Sequence, residues 1–275
     1  MSVTHRYREA WEGFWNEATG EPGEVFWDAE PALTAGPHLA IYEPYVDAPA
    51  LPLLDLGCGN GTQTRFLADR FPRVVGVDLS SAAIKLAERR EKHESELRRT
   101  RAERREKASG GSGPTPGAHK AGGPVPSGEI RFRQLDAVDP EAVARLHGEL
   151  GDCNVYMRGV LHQSDPKDRR PLAEAIAVLI GERGRAFVVE LAEAAGPRLA
   201  RLAQAEPGPP AKLLPVFRHG IVPGAVPDSE VADLVRAAGL SVLASGELPL
   251  TTTEYEENGS RIELPSIWLI VGRGA

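Results

Sequence analysis

Between Leu53 and Gln63 an apolar run, Leu-Leu-Asp-Leu, passes directly into Gly-Cys-Gly-Asn-Gly-Thr-Gln. Gly57, Gly59 and Gly61 alternate with other residues. That spacing permits positive φ and exposes main-chain N–H groups that no Cβ shields. Asp55, Gly57, Cys58, Gly59, Asn60 and Gly61 therefore form a candidate cradle for a nucleoside-type cofactor. A dinucleotide fingerprint would carry its third glycine at the sixth position, which here is Thr62, and the acid in front, Asp55, suits a ligand bearing positive charge. Asp78 follows Gly57 by 21 residues at the end of the apolar run Arg73-Val-Val-Gly-Val. A carboxylate at the tip of the next strand can accept both ribose hydroxyls. For proton transfer, His162 stands just past another apolar run, and its ordinary pKa of about 6.5 suits a general base near neutrality. His219 and Tyr255 are the next candidates, while His93 and His119 fall in a polar insertion and are set aside.

The elements that must position these residues alternate between strand and helix. Strands are expected at 53–56, 73–78, 130–135, 153–157 and 185–191. Helices are expected at 63–71, from Ser81 to 107 behind a Ser80 cap, after Asp139 with Pro140 at the first helical position, and at 166–180 and 229–238. Strands at 240–249 and 264–271 flank Asn258-Gly259, a hairpin signal. Helices near 6–17 and 31–45 precede this core. With the aromatics Tyr7, Trp11, Phe14, Trp15, Phe26 and Trp27 they read as a lid over residues 1–45. Residues 46–275 form the main domain, interrupted twice. The stretch 93–128 reads as an insertion: 88–107 carries 9 basic and 6 acidic side chains, a solvated helix, and 108–128 is a Gly/Ser/Pro-rich segment expected to be disordered. Residues 194–227, including Glu206-Pro-Gly-Pro-Pro, break the alternation where a substrate cap would be inserted.

The run Asp55-Leu-Gly57-Cys-Gly59-Asn-Gly61 strongly resembles motif I, D-x-G-x-G-x-G, of the class I S-adenosylmethionine (SAM)-dependent methyltransferases. Asp78-Leu79, Asp136-Ala137 and Arg158-Gly-Val-Leu-His162 fall at the places of motifs II, III and IV. The resemblance covers roughly residues 46–273. It implies an α/β fold, a Rossmann-like seven-stranded mixed sheet with helices on both faces and the last strand antiparallel. It also implies SAM as cofactor and S-adenosylhomocysteine as product. The glycine loop would follow the methionine portion, Asp78 the ribose, Leu79 the adenine face, and Asp136 with Ala137 the adenine edge. Arg158 and His162 would lie beside the methyl group, with Trp15 contributed by the lid. Methyl transfer is an in-line displacement, so alignment is the main task, and a base is needed only for an acceptor such as a hydroxyl.

Composition narrows the acceptor. A chain of 275 residues with 41% hydrophobic content can bury one α/β core. It has no uninterrupted apolar run of about 18 residues and no signal-peptide pattern, so a soluble cytoplasmic protein without a membrane partner is expected. Cys58 and Cys153 are not placed as a disulfide pair. The net charge of −7 without a basic face argues against a nucleic-acid partner. Met157-Arg158-Gly159-Val160 lacks the Asn/Asp-Pro-Pro-aromatic sequence of amino-methylating nucleic-acid enzymes and the paired glutamates of protein arginine enzymes, and no metal-binding spacing is present. A small-molecule acceptor of secondary metabolism, methylated on O or N, is the reading that remains. Two alternatives stay open: a SAM binder of this fold that does not methylate, and a nicotinamide-dependent oxidoreductase, against which Thr62 speaks.

Overall fold

The computed structural model describes residues 3–109, 128–206, 208–221, 224 and 226–274. In chain order the strands are β1 (Leu53–Leu56), β2 (Arg73–Asp78), β3 (Glu129–Gln134), β4 (Asn154–Arg158), β5 (Arg185–Leu191), β6 (Ser241–Glu247), β7 (Leu250–Tyr255), β8 (Arg261–Leu264) and β9 (Ser266–Gly272). The helices are α1 (Val3–Glu17), α2 (Ala35–Tyr42), α3 (Thr62–Leu67), α4 (Ser81–Ser109), α5 (Pro140–Leu150), α6 (Pro166–Ile180), α7 (Ala195–Ala203), α8 (Leu214–Arg218) and α9 (Asp228–Ala237). Seven strands form one sheet in the order β3-β2-β1-β4-β5-β9-β6. The first five are mutually parallel, and β9 runs antiparallel to both β5 and β6. This is the mixed seven-stranded sheet expected from the sequence.

The central strands are buried on both faces, which is why they read as continuous apolar runs. Alternate residues feed two cores. Leu54, Leu56, Val75, Val77, Val155 and Met157 pack with α5, α6 and α9 through Val143, Leu146, Ile176 and Val231. Leu53, Val74, Tyr156 and Phe187 face the other way, against Leu39, Tyr42, Leu67 and Phe71. The helix starts follow their capping residues. Asp139 accepts from Glu141 N and Ala142 N at 2.9 and 3.2 Å, Asp165 from Lys167 N at 3.1 Å, and Ser80 Oγ from Ala83 N at 3.2 Å.

The C-terminal hairpin differs from expectation. The Asn258-Gly259 turn joins β7 to β8 in a separate two-stranded sheet, and β6 reaches β9 only by way of that excursion. Pro249 and Pro265 supply the physical reason. Neither can donate to a ladder, so each ends a strand and lets the chain leave the main sheet and return. Residues 110–127 of the expected insertion lie outside the described residues; α4 reaches Ser109, as the charged run predicts.

Gly61 closes the turn into α3 with φ of +77°, and a Cβ there would stand 2.8 Å from Phe132 and 3.1 Å from Ala87. Left-handed backbone and a filled neighbourhood act together. Gly61→Ala is therefore expected to lower unfolding free energy by about 1–3 kcal/mol. Urea denaturation checks this, and an unchanged midpoint would contradict it.

Candidate functional site

The strand order reverses at β1, which has β2 on one side and β4 on the other, and ligands of open α/β sheets bind beyond the carboxyl ends at such a point. A cavity of about 190 Å³ lies there. The glycine loop forms its floor. Gly57 N and Cys58 N both donate to Val77 O, at 2.8 and 3.0 Å, which holds the loop against the end of β2. Gly57 and Gly59 have φ of +80° and +54°; a Cβ on the first would meet Val160 at 2.6 Å and on the second Trp15 at 2.8 Å.

Asp78 ties this loop to the next helix. Its Oδ2 accepts from Gly59 N and its Oδ1 from Ser80 N, both at 2.9 Å. Burial pushes its carboxyl up to about 6, against the pull of the Ser80 and Gly59 N–H groups. Each carboxylate oxygen keeps a further lone pair for a donor in the cavity. Asp55 behaves differently. It is buried beneath the loop, where Thr64 Oγ1 donates to it at 2.6 Å, and it does not line the cavity. Burial again is the main cause of a pKa of about 6. Gly61 also lies off the cavity, because its missing side chain makes room for Phe132.

Helix α1 lies across the opening. Glu12 accepts from Ser80 Oγ and Ser81 Oγ, at 2.7 and 2.6 Å, and from Ala82 N at 3.3 Å, so an anion sits at the start of α4. Partial burial opposes the charge, but the two hydroxyls and the N–H groups outweigh it and hold Glu12 below the usual range. Arg8 is ion-paired with Asp136. Trp11 meets Trp27 edge-on and Phe14 stacks on it, while Trp15 stacks on Trp11, meets Phe14 edge-on and covers Gly59.

On the β4 side, Arg158 Nη1 donates to Trp27 O at 2.8 Å, and Nη2 lies 4.0 Å from Asp28. His162 is buried, and its Nδ1 lies 2.7 Å from Glu190 Oε2. Glu190, only 1% exposed, also accepts from the main-chain N–H groups of Val160, Leu161 and His162 at 2.9, 2.9 and 3.1 Å. A carboxylate can only accept, so in the neutral imidazole Nδ1 carries the proton and Nε2 is the nitrogen with the lone pair.

The cavity thus brings together Trp15, Gly57, Cys58, Gly59, Asn60, Asp78, Leu79, Asp136, Ala137, Arg158 and His162. His219 stays outside it. A Cβ on Gly13 would stand 2.7 Å from its Nδ1, and its Nε2 is 3.0 Å from Glu17 Oε1, so it pins α1 from behind. Tyr255 is 56% exposed, with the Arg261 guanidinium 4.9 Å above its ring, in a different groove. Glu190 and Arg8 were not singled out from the sequence. The available signal was an acid closing the apolar strand 185–191, where a buried charge requires donors. Among the described residues no group of three or more His, Cys, Asp or Glu is arranged to hold a metal. No described helix is long and apolar enough to cross a membrane.

The Asp55 carboxyl gives a pH signature. Its folded pKa of about 6 exceeds the ordinary 3.8, so the stability linked to its proton is complete below about 3.8 and is lost as pH rises through about 6. A side-chain amide at this position has no such proton to lose. The stability of Asp55→Asn relative to the unaltered protein should therefore rise between about pH 4 and pH 7, by on the order of 2 kcal/mol. Urea midpoints across that range measure it, and a flat difference would show that Asp55 titrates normally.

A family model described as a methyltransferase domain matches residues 53–109. No curated protein matches the chain. Among solved structures, a SAM-dependent methyltransferase from Anabaena variabilis is 28% identical with a TM-score of 0.77, and the match covers 97% of this chain and 95% of that one. A structure described for the conversion of a disulfide bond into a thioacetal group during echinomycin biosynthesis is 20% identical, TM-score 0.54, covering 91% and 88% of the two chains. A SAM-dependent methyltransferase from Methanosarcina mazei is 17% identical, TM-score 0.51, covering 84% and 96%. These last two share the fold. The family-model match, motif order, strand order, the glycine loop beside Asp78 and the Anabaena similarity together support a class I SAM-dependent methyltransferase.

Proposed function

We propose that this chain methylates a hydroxyl or nitrogen of a small molecule, with His162 as general base, α1 as a lid and residues 194–227 as part of a substrate cap. The observation that carries the reading is the buried His162–Glu190 pair in the wall of the cavity that also holds the glycine loop. A cavity of about 190 Å³ roofed by α1 supports a small acceptor rather than a polymer. The sequence lacks nucleic-acid and protein-arginine signatures, which supports a small-molecule acceptor, and we assign it to secondary metabolism.

The residues present suit SAM. The loop of Gly57, Cys58, Gly59 and Asn60 offers close main-chain approach, Asp78 offers acceptors for ribose hydroxyls, and Leu79, Ala137 and Asp136 surround the place for adenine. Arg158 offers a cation for the amino-acid carboxylate. When bound, SAM supplies a methyl group on a sulfonium whose positive charge is lost as the new bond forms to carbon. His162 Nε2 is free to take the acceptor's proton, because Nδ1–H is committed to Glu190. The imidazolium then formed sits against the Glu190 carboxylate, which orients and stabilises it as the acid of a triad does. The aromatic side chains of α1 and Trp27 exclude water from this exchange.

Incubation with labelled SAM and cellular metabolites should yield S-adenosylhomocysteine and a labelled product; binding of SAM without turnover would favour a non-methylating SAM protein. Asp78→Ala should weaken S-adenosylhomocysteine binding by about ten-fold or more while the fold survives, as read by calorimetry. Unchanged affinity would remove Asp78 from the ribose site. His162→Ala should reduce kcat by about 10²–10⁴-fold with cofactor affinity intact. Loss of folding instead would make the Glu190 contact purely structural.

A further inference from the structure

The cavity wall has a sharp division of chemistry along the chain. Among the described residues, everything contributed from positions 191 to 264 is aliphatic: Leu191, Leu199, Leu213, Val216, Leu250 and Leu264. All charged lining groups come from positions 8 to 168. The aliphatic group belongs to a core of its own, packed with Phe14, Trp15 and Phe26 and separate from the two cores of the sheet. Beside His162, Gln163 also lines the cavity, and its Oε1 is buried with no hydrogen-bond partner. A buried acceptor without a donor is costly, and a ligand that brings a donor relieves that cost.

Resting on the methyltransferase reading above, we propose that the acceptor is a neutral, largely hydrocarbon molecule that presents a hydroxyl or N–H to Gln163 Oε1. The hydrocarbon body is buried against the aliphatic wall of α7, α8, β7 and β8, where a carboxylate or ammonium would be stripped of water with no counter-charge. The donor is a group other than the one methylated, since a reacting hydroxyl gives its single proton to His162 Nε2; held by Gln163, it fixes the acceptor beside the neighbouring His162. The wall thus selects by charge, and the amide selects by the presence of one donor.

The test uses the full chain saturated with S-adenosylhomocysteine and three probes of one shape: α-naphthol, naphthalene and α-naphthoate. Tryptophan quenching reports binding, because Trp11 and Trp27 line the cavity. Naphthol should bind most tightly, with naphthoate at least about ten-fold weaker near neutral pH. Naphthalene should be about three- to ten-fold weaker than naphthol. Gln163→Leu should abolish the preference for naphthol over naphthalene. Leu213→Glu should weaken naphthol at least about ten-fold with S-adenosylhomocysteine affinity unchanged. Should Leu213→Glu not fold, Leu199→Gln and the probe series on the unaltered chain decide the matter. Naphthoate binding as tightly as naphthol, or no naphthalene probe binding to the loaded protein, overturns the inference. Failure of S-adenosylhomocysteine itself to bind would instead overturn the methyltransferase reading, so the two failures are distinguishable.

Discussion

A half-buried carboxylate at the tip of β2 is the constraint on which the site is built. Asp78 cannot be ionised there without donors, and it draws them from Gly59 N in one direction and Ser80 N in the other. The first bond holds the glycine loop against the sheet. The second fixes the turn from which α4 departs, and the Ser80 hydroxyl of that turn also binds Glu12 of α1. Strand tip, loop, helix start and overlying helix therefore form one hydrogen-bonded chain. Its cost is visible in the carboxyl pKa of about 6, where burial exceeds what two main-chain donors return.

Glu190 repeats the device near the end of β5. Where a parallel strand runs out, the chain turns away and its next N–H groups lose their ladder partners. At β2 the carboxylate collects two such groups; at β5 it collects three, and the imidazole of His162 is the fourth donor. The same solution that satisfies the backbone thus orients a titratable ring toward the cavity. The contact that helps hold the turn also selects the tautomer of the neutral His162 ring.

The cavity is bounded by two kinds of packing. Its floor belongs to the sheet, whose cores are shared by strands and flanking helices. Its roof and outer wall belong to a third cluster, built from α1, the start of α4, the segment around Phe26 and the short elements after β5. The β7–β8 sheet joins that cluster through Thr253, whose N–H and hydroxyl donate to Phe26 O and Val25 O, at 2.9 and 3.0 Å. Residues far apart in sequence thereby close over one space. The far wall is hydrocarbon alone, while the charged lining groups come from the sheet side and from α1.

Sequence by itself determined the strand–helix alternation, the capped starts of α4 and α5, the glycine loop and the acid at its proper distance, because each depends on local conformational preference or short spacing. Tertiary structure alone decided which of the motif residues face the cavity. Asp55 and Gly61 share the loop's sequence pattern, but one is turned beneath it toward Thr64 and the other accommodates Phe132 of β3, a strand that begins only at Glu129. His219 and Tyr255 are chemically suitable bases that packing places elsewhere, behind α1 and on the surface. The partner of His162 and the aliphatic wall were likewise settled by contacts between distant segments: periodicity says whether a side chain is buried, and only the fold says against what.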